Sequence, residues 1–347
     1  PVPVLDSVAA TAGVDAAQFA VSDTGAALYL PGQGRSGAPI GWMTREGPMT
    51  SLRAAPANWS NPAFAPDGRR LAVEIADGAN VDVWVYEWAR DTLSRLTFGV
   101  AYDTKPVWTP DGRRIAFGSN RDNNRAPNLY WQAADGTGDV QRLTESQSGQ
   151  YPASWHPSGK FLAFQEASNS GDIMMLPMDG DEASGWKPGK PTVFLSGPYT
   201  EAEPMFSPDG RWLAYASFES GRSEVYVRPF PGPGGKWQIS TGGGNYPTWS
   251  RTRPELFYGT QDQRIMVASY AVEGDSFRAD KPRLWSEARF QPRPSRRSFD
   301  VHPDGTRFAV APVSDTQDGV RQDGVRQDAV VLISNFFDEL RRVAPAQ

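Results

Sequence analysis

Two histidines, His156 and His302, are the side chains of this chain best suited to general acid–base chemistry near neutral pH. Each stands immediately before a proline in the same short phrase, so we interpret both as structural. No Gly-x-Ser-x-Gly elbow accompanies either of them. The chain has no cysteine, which removes thiolate nucleophiles, disulfides and zinc–thiolate sites. The sequence therefore identifies no catalytic residue.

A second set of polar residues lies just before the first strand of each copy of a recurring phrase. Its members are Gln18, Asn61, Asp103, Lys105, Tyr151, Glu201, Glu203, Tyr246 and Ser298. Three carboxylates against one lysine make the set acidic-leaning, and its two tyrosines offer rings for stacking and hydroxyls for hydrogen bonding. If the fold gathers these residues, they suit a cation, a basic peptide segment or a small polar ligand.

These polar residues must be positioned by the recurring phrase, a seven-residue sequence motif. Five copies are clear: Pro62-Ala-Phe-Ala-Pro-Asp-Gly68, Pro106-Val-Trp-Thr-Pro-Asp-Gly112, Ala153-Ser-Trp-His-Pro-Ser-Gly159, Pro204-Met-Phe-Ser-Pro-Asp-Gly210 and Phe299-Asp-Val-His-Pro-Asp-Gly305. Two copies are degenerate: Phe19-Ala-Val-Ser-Asp-Thr-Gly25 and Pro247-Thr-Trp-Ser-Arg-Thr-Arg253. The spacing of about 43 to 52 residues is typical of one four-stranded propeller blade per copy.

Each phrase predicts two strands joined by a tight turn, because Pro pre-sets the turn and Gly takes its left-handed position. A third strand and a shorter fourth follow most copies, as in Val81–Tyr86 and Arg95–Thr97. The sequence therefore predicts an all-β, seven-bladed propeller of four-stranded antiparallel blades, with six or eight blades as alternatives. In such a fold the first strand of each blade lines a central channel, so the polar set above is expected to ring one mouth.

The ends of the chain suggest how the ring closes. The last copy has a predicted third strand at Ala329–Ile333 but lacks a fourth, and the strand-like residues Val2–Leu5 are predicted to supply it. We expect one propeller domain over residues 1–347, with a closing strand at 1–8, blades over 9–334, and a C-terminal helix and tail over 335–347. Six tryptophans occupy apolar positions in the alternating pattern of the predicted strands and are interpreted as inter-blade core: Trp84, Trp108, Trp131, Trp155, Trp212 and Trp249.

The charge and hydropathy of the chain limit the classes of partner that it is expected to bind. Thirty-five Lys and Arg against 40 Asp and Glu give a net charge of −5, which provides no general attraction to nucleic acid. No apolar run approaches the ~20 residues that a membrane-spanning helix needs, so no membrane insertion by this chain is expected. We expect a monomer without a cofactor, and leave open a divalent cation such as calcium in the channel.

The Ser-Pro-Asp-Gly hairpin repeat resembles that of the TolB-type, WD-like propellers. Further segments resemble the propeller that follows the kinase domain and membrane span in many bacterial serine/threonine kinase-like proteins: Pro1–Leu5, Ala17–Ser22, Ser207–Tyr215, Glu219–Gly221, Glu224–Pro231 and Asn335–Leu340. Kinase motifs themselves are absent from the sequence. The resemblance implies a bacterial, periplasmic or extracellular propeller used for binding or sensing, with no catalytic residues to carry over.

The sequence thus favours non-enzymatic recognition of a protein, a peptide or a small polar ligand at the channel mouth. The alternative is a metal-assisted hydrolase or lyase that uses channel carboxylates, namely Asp103, Glu201 and Glu203. A third interpretation is a structural module that spaces other domains.

Overall fold

The computed structural model describes residues 19–23, 26–29, 37–77, 80–122, 126–167, 171–293, 296–313, 331–333 and 336–337. The chain divides into two compact units. The first comprises residues 1–37 and 314–347, and the second comprises residues 38–313.

Strands account for nearly all the regular structure in the described residues. Four strands come first: β1 (Phe19–Val21), β2 (Ala27–Tyr29), β3 (Ala38–Thr44) and β4 (Thr50–Ala57). The next eight are β5 (Trp59–Phe64), β6 (Arg70–Asp77), β7 (Asn80–Glu87), β8 (Thr92–Arg95), β9 (Asp103–Trp108), β10 (Arg114–Ser119), β11 (Asn128–Ala133) and β12 (Gln141–Arg142).

The strands continue through the middle and end of the chain. The next nine are β13 (Gly149–Trp155), β14 (Phe161–Ala167), β15 (Asp172–Asp179), β16 (Lys187–Pro188), β17 (Thr192–Leu195), β18 (Glu201–Phe206), β19 (Trp212–Ser217), β20 (Glu224–Pro229) and β21 (Trp237–Gln238). The last eight are β22 (Asn245–Trp249), β23 (Glu255–Gly259), β24 (Ile265–Glu273), β25 (Ser276–Ala279), β26 (Arg283–Leu284), β27 (Phe299–Val301), β28 (Arg307–Val310) and β29 (Val331–Ile333).

In the second unit these strands form six antiparallel sheets of four or five strands, one per blade. Blades 1 to 5 follow the chain as β5–β8, β9–β12, β13–β17, β18–β21 and β22–β26, and blade 6 has the order β27-β28-β3-β4. The first strand of each blade contacts the first strand of the next, and β27 contacts β5, so the six blades close into a ring. The predicted β-propeller is confirmed, with its first strands innermost.

The prediction of seven blades is wrong, and the alternative of six is correct. The degenerate copy near residue 25 does form a hairpin, β1–β2, but its third strand is β29, and these three strands form a sheet of the first unit. The recurring phrase predicts only the two strands of a hairpin and the turn between them. It carries no information about which strand pairs with that hairpin next, so counting phrases overcounts the blades.

The ring closes in a way that the phrase does not reveal. Strand β28 of the last hairpin pairs with β3, with Val310 opposite Gly41 and Arg307 opposite Thr44, and β4 completes the blade. Two strands from the N-terminal side therefore complete blade 6, whereas Ala329–Ile333 was expected to provide its third strand. The proposed closing strand at residues 1–8 lies outside the described residues.

The core lies between neighbouring blades. Trp131 of blade 2 stacks on Trp155 of blade 3 with ring centroids 6.0 Å apart, and Trp212 and Trp249 share a cluster between blades 4 and 5. Each of these rings is more than nine-tenths buried, which stabilises the fold by about 1.5–3 kcal/mol per large side chain. The interpretation as inter-blade core is confirmed for these four and for Trp108, whereas Trp84 is only half-buried against the cluster between blades 6 and 1.

Helix is confined to residues 336–337 in the described part of the chain, and the rest of the predicted C-terminal helix lies outside it. In the same described residues, we find no helix with the length and hydropathy that crossing a bilayer requires.

Candidate functional site: the central channel

A backbone bulge marks the innermost strand of most blades at the position where the sequence placed its polar set. Asn61, Lys105, Glu203 and Tyr246 all have φ between 48° and 54°, in the left-handed region. The strand register shifts beside each of them. Each is followed by a proline, which has no N–H to give to the ladder, so an extra unpaired residue is accommodated there. Because a bulge re-aims its side chains, the local sequence fixes four corresponding positions around the axis.

These bulges lie at one end of a cavity of about 400 Å³ that is lined by all six blades. Near the bulges its lining includes Asn61, Lys105, Glu203 and Arg297. At the hairpin-turn end it includes Pro66, Pro110, Pro157, Pro208 and Arg251. Tryptophans 108, 155 and 249 contribute to its wall. A mainly apolar wall with a few charged groups is typical of a ligand site.

An ion pair joins two blades that are not neighbours. Lys105 Nζ of blade 2 lies 2.6 Å from Glu203 Oε1 of blade 4, and it also lies 5.5 Å from the centre of the Tyr151 ring in blade 3. Burial opposes ionisation of Glu203, but the positive charges of Lys105 and Arg297 outweigh it and hold the pKa of Glu203 below its usual value. Glu203 therefore stays ionised well into the acidic range.

A second charged group connects blade 6 to its neighbours. Arg297 Nη1 lies 3.6 Å from Asp300 Oδ1, and the Arg297 Nη2 group donates to the Pro247 carbonyl at 2.9 Å. The backbone N–H of Phe64 donates to Asp300 Oδ2 at 2.8 Å. Burial is the largest effect on Asp300 and raises its pKa, although Arg297 opposes the shift. Burial thus makes Asp300 harder to ionise than a hydrated aspartate.

Reciprocal hydrogen bonds hold Arg297 against blade 1. The Asn61 N–H donates to the Arg297 carbonyl, and the Arg297 N–H donates to Asn61 Oδ1, both at 2.9 Å. Asn61 Nδ2 and Arg297 Nε are buried without a hydrogen-bond partner among the described residues. Two polar groups beside the cavity are therefore left unsatisfied, each at a free-energy cost of about 1–3 kcal/mol.

Not all of the predicted set faces the cavity. Asp103 is fully buried, and the Arg121 guanidinium donates to both of its oxygens at 3.1 and 3.0 Å. Glu201 is buried, accepts a hydrogen bond from Ser217 Oγ at 3.4 Å, and has a pKa raised by burial. Ser298 Oγ accepts from the Arg293 N–H at 2.8 Å. These three side chains belong to the walls of the blades, and Gln18 lies outside the described residues.

The two tyrosines lie near the charged residues but not among the lining residues of the cavity. Tyr246 packs its ring against Phe299 at 6.5 Å, and burial, followed by the charge of Glu203, raises its pKa. Tyr151 contacts Lys105, as described above. Both tyrosines therefore border the charged end of the channel.

The expected acidic excess does not appear in the cavity. Its charged lining consists of Lys105, Arg251 and Arg297 against Glu203 and Asp300. The sequence prediction missed both arginines: it included Ser298, next to Arg297, and described the copy that contains Arg251 only as degenerate. The signal was present, because Arg251 replaces a proline that the clear copies of the phrase all have.

The two histidines lie in the hairpin turns of different blades and are not brought together. His302 Nε2 contacts the Gly68 carbonyl at 3.0 Å, and the His156 ring packs 5.1 Å from Phe206. Their interpretation as structural is supported by these inter-blade contacts. The described residues contain no group of three or more His, Asp or Glu side chains arranged to hold a metal ion, so the channel-bound cation stays a prediction.

The chain is similar to one domain family and to two bacterial proteins. Residues 46–186 match the family model for the TolB β-propeller domain. An uncharacterized peptidase of Bacillus subtilis is 25% identical over 193 residues, which cover 46% of this chain but only 29% of that protein. An uncharacterized protein of Agrobacterium fabrum is 26% identical over 215 residues, covering 59% of this chain and 67% of that protein.

Solved structures share the architecture. A protein assigned as TolB from Agrobacterium tumefaciens has a TM-score of 0.59 and 19% identity, covering 80% of this chain and 98% of that one. TolB from Acinetobacter baumannii has a TM-score of 0.51 and 16% identity, covering 81% of this chain and 65% of that one. These likenesses concern the fold alone. Residues 46–186 are therefore similar to the TolB β-propeller domain, and the solved structures show that the chain shares the β-propeller fold.

Proposed function

We propose that the six-bladed ring is a non-enzymatic recognition module that binds an extended segment of a protein or peptide in its central channel. The observation that carries this proposal is the composition of the cavity of about 400 Å³. Most of its lining residues are apolar, with prolines the most frequent type, and its few charged groups come from several blades. An apolar wall excludes water from a bound chain, while fixed charges orient it.

The unsatisfied polar atoms support a binding role. Buried donors without partners cost free energy. Asn61 Nδ2 and Arg297 Nε are closed off from solvent, so a bound ligand would recover part of this cost through a small shift that brings either donor to the cavity surface. The ring itself is braced by the hydrogen bonds between Asn61 and Arg297. A braced site binds with a smaller entropy loss than one that must first become ordered.

The enzymatic alternative has less support. It requires Asp103, Glu201 and Glu203 to act together on a substrate. Asp103 is held by Arg121, Glu201 is buried against Ser217, and neither lines the cavity. Glu203 alone remains in the channel, where Lys105 neutralises it.

The resemblance to periplasmic TolB-type proteins leads us to propose an extracytoplasmic location for this module as well. Detection of the native protein in the fraction released by osmotic shock of the source bacterium would support this location. Exclusive recovery with the cytosol would contradict it.

The recognition proposal is tested by blocking the channel. The full chain is incubated with a synthetic library of random decapeptides, and bound peptides are identified by mass spectrometry. Ala153 lines the cavity, so Ala153→Trp should fill part of it and weaken binding of the selected peptides at least tenfold. The control is Ser94→Trp, which adds the same ring on the exposed outer strand β8 of blade 1. No peptide enriched by the unmodified chain, or equal binding by Ala153→Trp, would contradict the proposal.

A further inference from the structure

One position in the ring of hairpin turns departs from the other five. The turn phrases of blades 1, 2, 3, 4 and 6 carry a proline there, and four of these prolines line the cavity. Blade 5 has Arg251 at the equivalent position, and Arg251 lines the cavity as well. The departure therefore places a permanent positive charge in a wall that is otherwise built of prolines at this end.

The other charges in the cavity have partners. Lys105 is paired with Glu203 at 2.6 Å, and Arg297 is paired with Asp300 at 3.6 Å. Asp300 also accepts the Phe64 N–H. Arg251 has no hydrogen bond or ion pair with any residue that the structure describes. It is consequently the surplus cation of the cavity.

The surroundings of Arg251 make an anionic partner favourable. Its side chain is exposed to solvent, so a ligand that enters the cavity can reach it. The surrounding protein lowers its pKa, and the charge of Asp300 opposes this shift. A carboxylate matches the two parallel N–H groups of a guanidinium and would replace part of its hydration.

We propose that Arg251 makes the turn end of the channel selective for a carboxylate on the bound segment. The carboxylate belongs to an aspartate or glutamate side chain or to a free C-terminus. This inference rests on the proposed function, because it assumes that a peptide segment enters the cavity. It assigns Arg251 as the residue that determines which segments are accepted.

The variants are chosen so that charge, size and turn geometry are separated. Arg251→Gln keeps a polar side chain but removes the charge, and Arg251→Lys keeps the charge without the bidentate geometry. Arg251→Pro restores the residue of the other blades. The matched control is Arg253→Gln, which removes an exposed arginine of the same turn that does not line the cavity. Thermal unfolding of each variant establishes that the ring is intact.

The experiment repeats the decapeptide selection with two libraries, one with free and one with amidated C-termini. We expect the unmodified chain to enrich carboxylate-bearing peptides, and Arg251→Gln to bind them about 10- to 100-fold more weakly. Arg251→Lys should restore part of the affinity, while Arg253→Gln should change it less than twofold. Enrichment from the free library alone identifies a C-terminal carboxylate. Enrichment of Asp or Glu from both libraries identifies a side chain.

A failure of the inference about Arg251 is distinguishable from a failure of the proposed function. If the unmodified chain enriches peptides without carboxylates, or if Arg251→Gln binds acidic peptides as tightly as the unmodified chain does, recognition stands and the role of Arg251 is overturned. If the unmodified chain enriches no peptide from either library, the proposed function fails and this inference fails with it.

Discussion

His302 Nε2 in the last hairpin turn lies 3.0 Å from the carbonyl oxygen of Gly68 in the first. The carbonyl accepts, so the ring nitrogen carries the proton, while Nδ1 lies 2.8 Å from Asp304 Oδ2 in its own turn. The same relation recurs around the ring: Arg70 donates to the Gly112 carbonyl at 3.2 Å, and Thr252 Oγ1 donates to the Asp304 carbonyl at 3.1 Å. Three pairs of adjacent turns are thus tied to one another, including the turns of blades 6 and 1, where the ring closes.

The first prediction concerns the turn glycines. Gly68, Gly112 and Gly210 have φ of 65°, 68° and 74°, so alanine is strained at all three. Gly112→Ala adds a methyl in ordinary contact, 3.5 Å from its nearest neighbours, whereas at Gly68 the methyl would lie 3.0 Å from His302 Nε2. At Gly210 it would overlap the ring of His156.

We therefore expect the loss of stability to be smallest for Gly112→Ala, larger for Gly68→Ala and largest for Gly210→Ala. Overlap with a neighbouring ring should add about 1–3 kcal/mol to the strain that all three variants share. Urea denaturation followed by tryptophan fluorescence measures the three free energies of unfolding. Equal losses would show that the neighbouring histidines move aside freely.

A second prediction concerns pH. Burial lowers the pKa of His156, although the nearby Gly210 carbonyl and Asp209 partly oppose this shift. Because the unfolded chain then binds a proton more readily than the folded one, His156 stabilises the fold fully above about pH 6.5. This contribution is lost as the pH falls from that value through the lower pKa of the folded state.

The free energy of unfolding of the unmodified protein should consequently fall more between pH 7.5 and 5.5 than that of His156→Gln. Chemical denaturation at a series of pH values gives both slopes. The two slopes would coincide if His156 titrated as it does in the unfolded chain.

The third prediction is that the ion pair between Lys105 and Glu203 is energetically coupled. Both side chains are less than one-fifth exposed, so removing one leaves a poorly hydrated charge. Glu203→Gln and Lys105→Met should each destabilise the ring, and the double variant should lose less than the sum, with a coupling of about 1–3 kcal/mol. A double-mutant cycle in urea measures it.

The matched control for this cycle is the pair formed by Arg264 and Glu287, in which the two charged groups lie 3.3 Å apart and Glu287 is 87% exposed. Its coupling should be below about 0.5 kcal/mol. Similar values for both cycles would mean that the channel pair is hydrated like a surface pair.

A fourth prediction follows from the way in which the ring closes. The fragment 38–313 retains β3 and β4, whereas the fragment 58–313 lacks both and leaves the edge of β28 unpaired. We expect the first fragment to unfold in one cooperative transition and the second to aggregate, because an unpaired edge strand recruits other chains. Light scattering and calorimetry distinguish the two. Equal solubility and melting temperature would contradict the assigned closure.

The sequence predicted the hairpins and the inter-blade tryptophans, because each depends on local turn chemistry or on strand alternation. It did not predict the left-handed backbone at Asn61, Lys105 and Glu203. It did not predict the blade number, which depends on the pairing of β28 with β3, far apart in the chain. It also misplaced Glu201. Residues that are two apart on a regular strand share a face, so Glu201 and Glu203 would point the same way on an unbroken strand. The register shift between Ala202 and Met205 breaks this rule.

The pairing of Gly41 with Val310 also sets an order of events during synthesis. The two strands that finish the last blade leave the ribosome before any complete blade exists, and their partner hairpin emerges near the end of the propeller region. At about 5–20 residues per second, they wait for tens of seconds with unpaired edges. Nascent chains of this protein should therefore require protection by chaperones until the final hairpin has been translated.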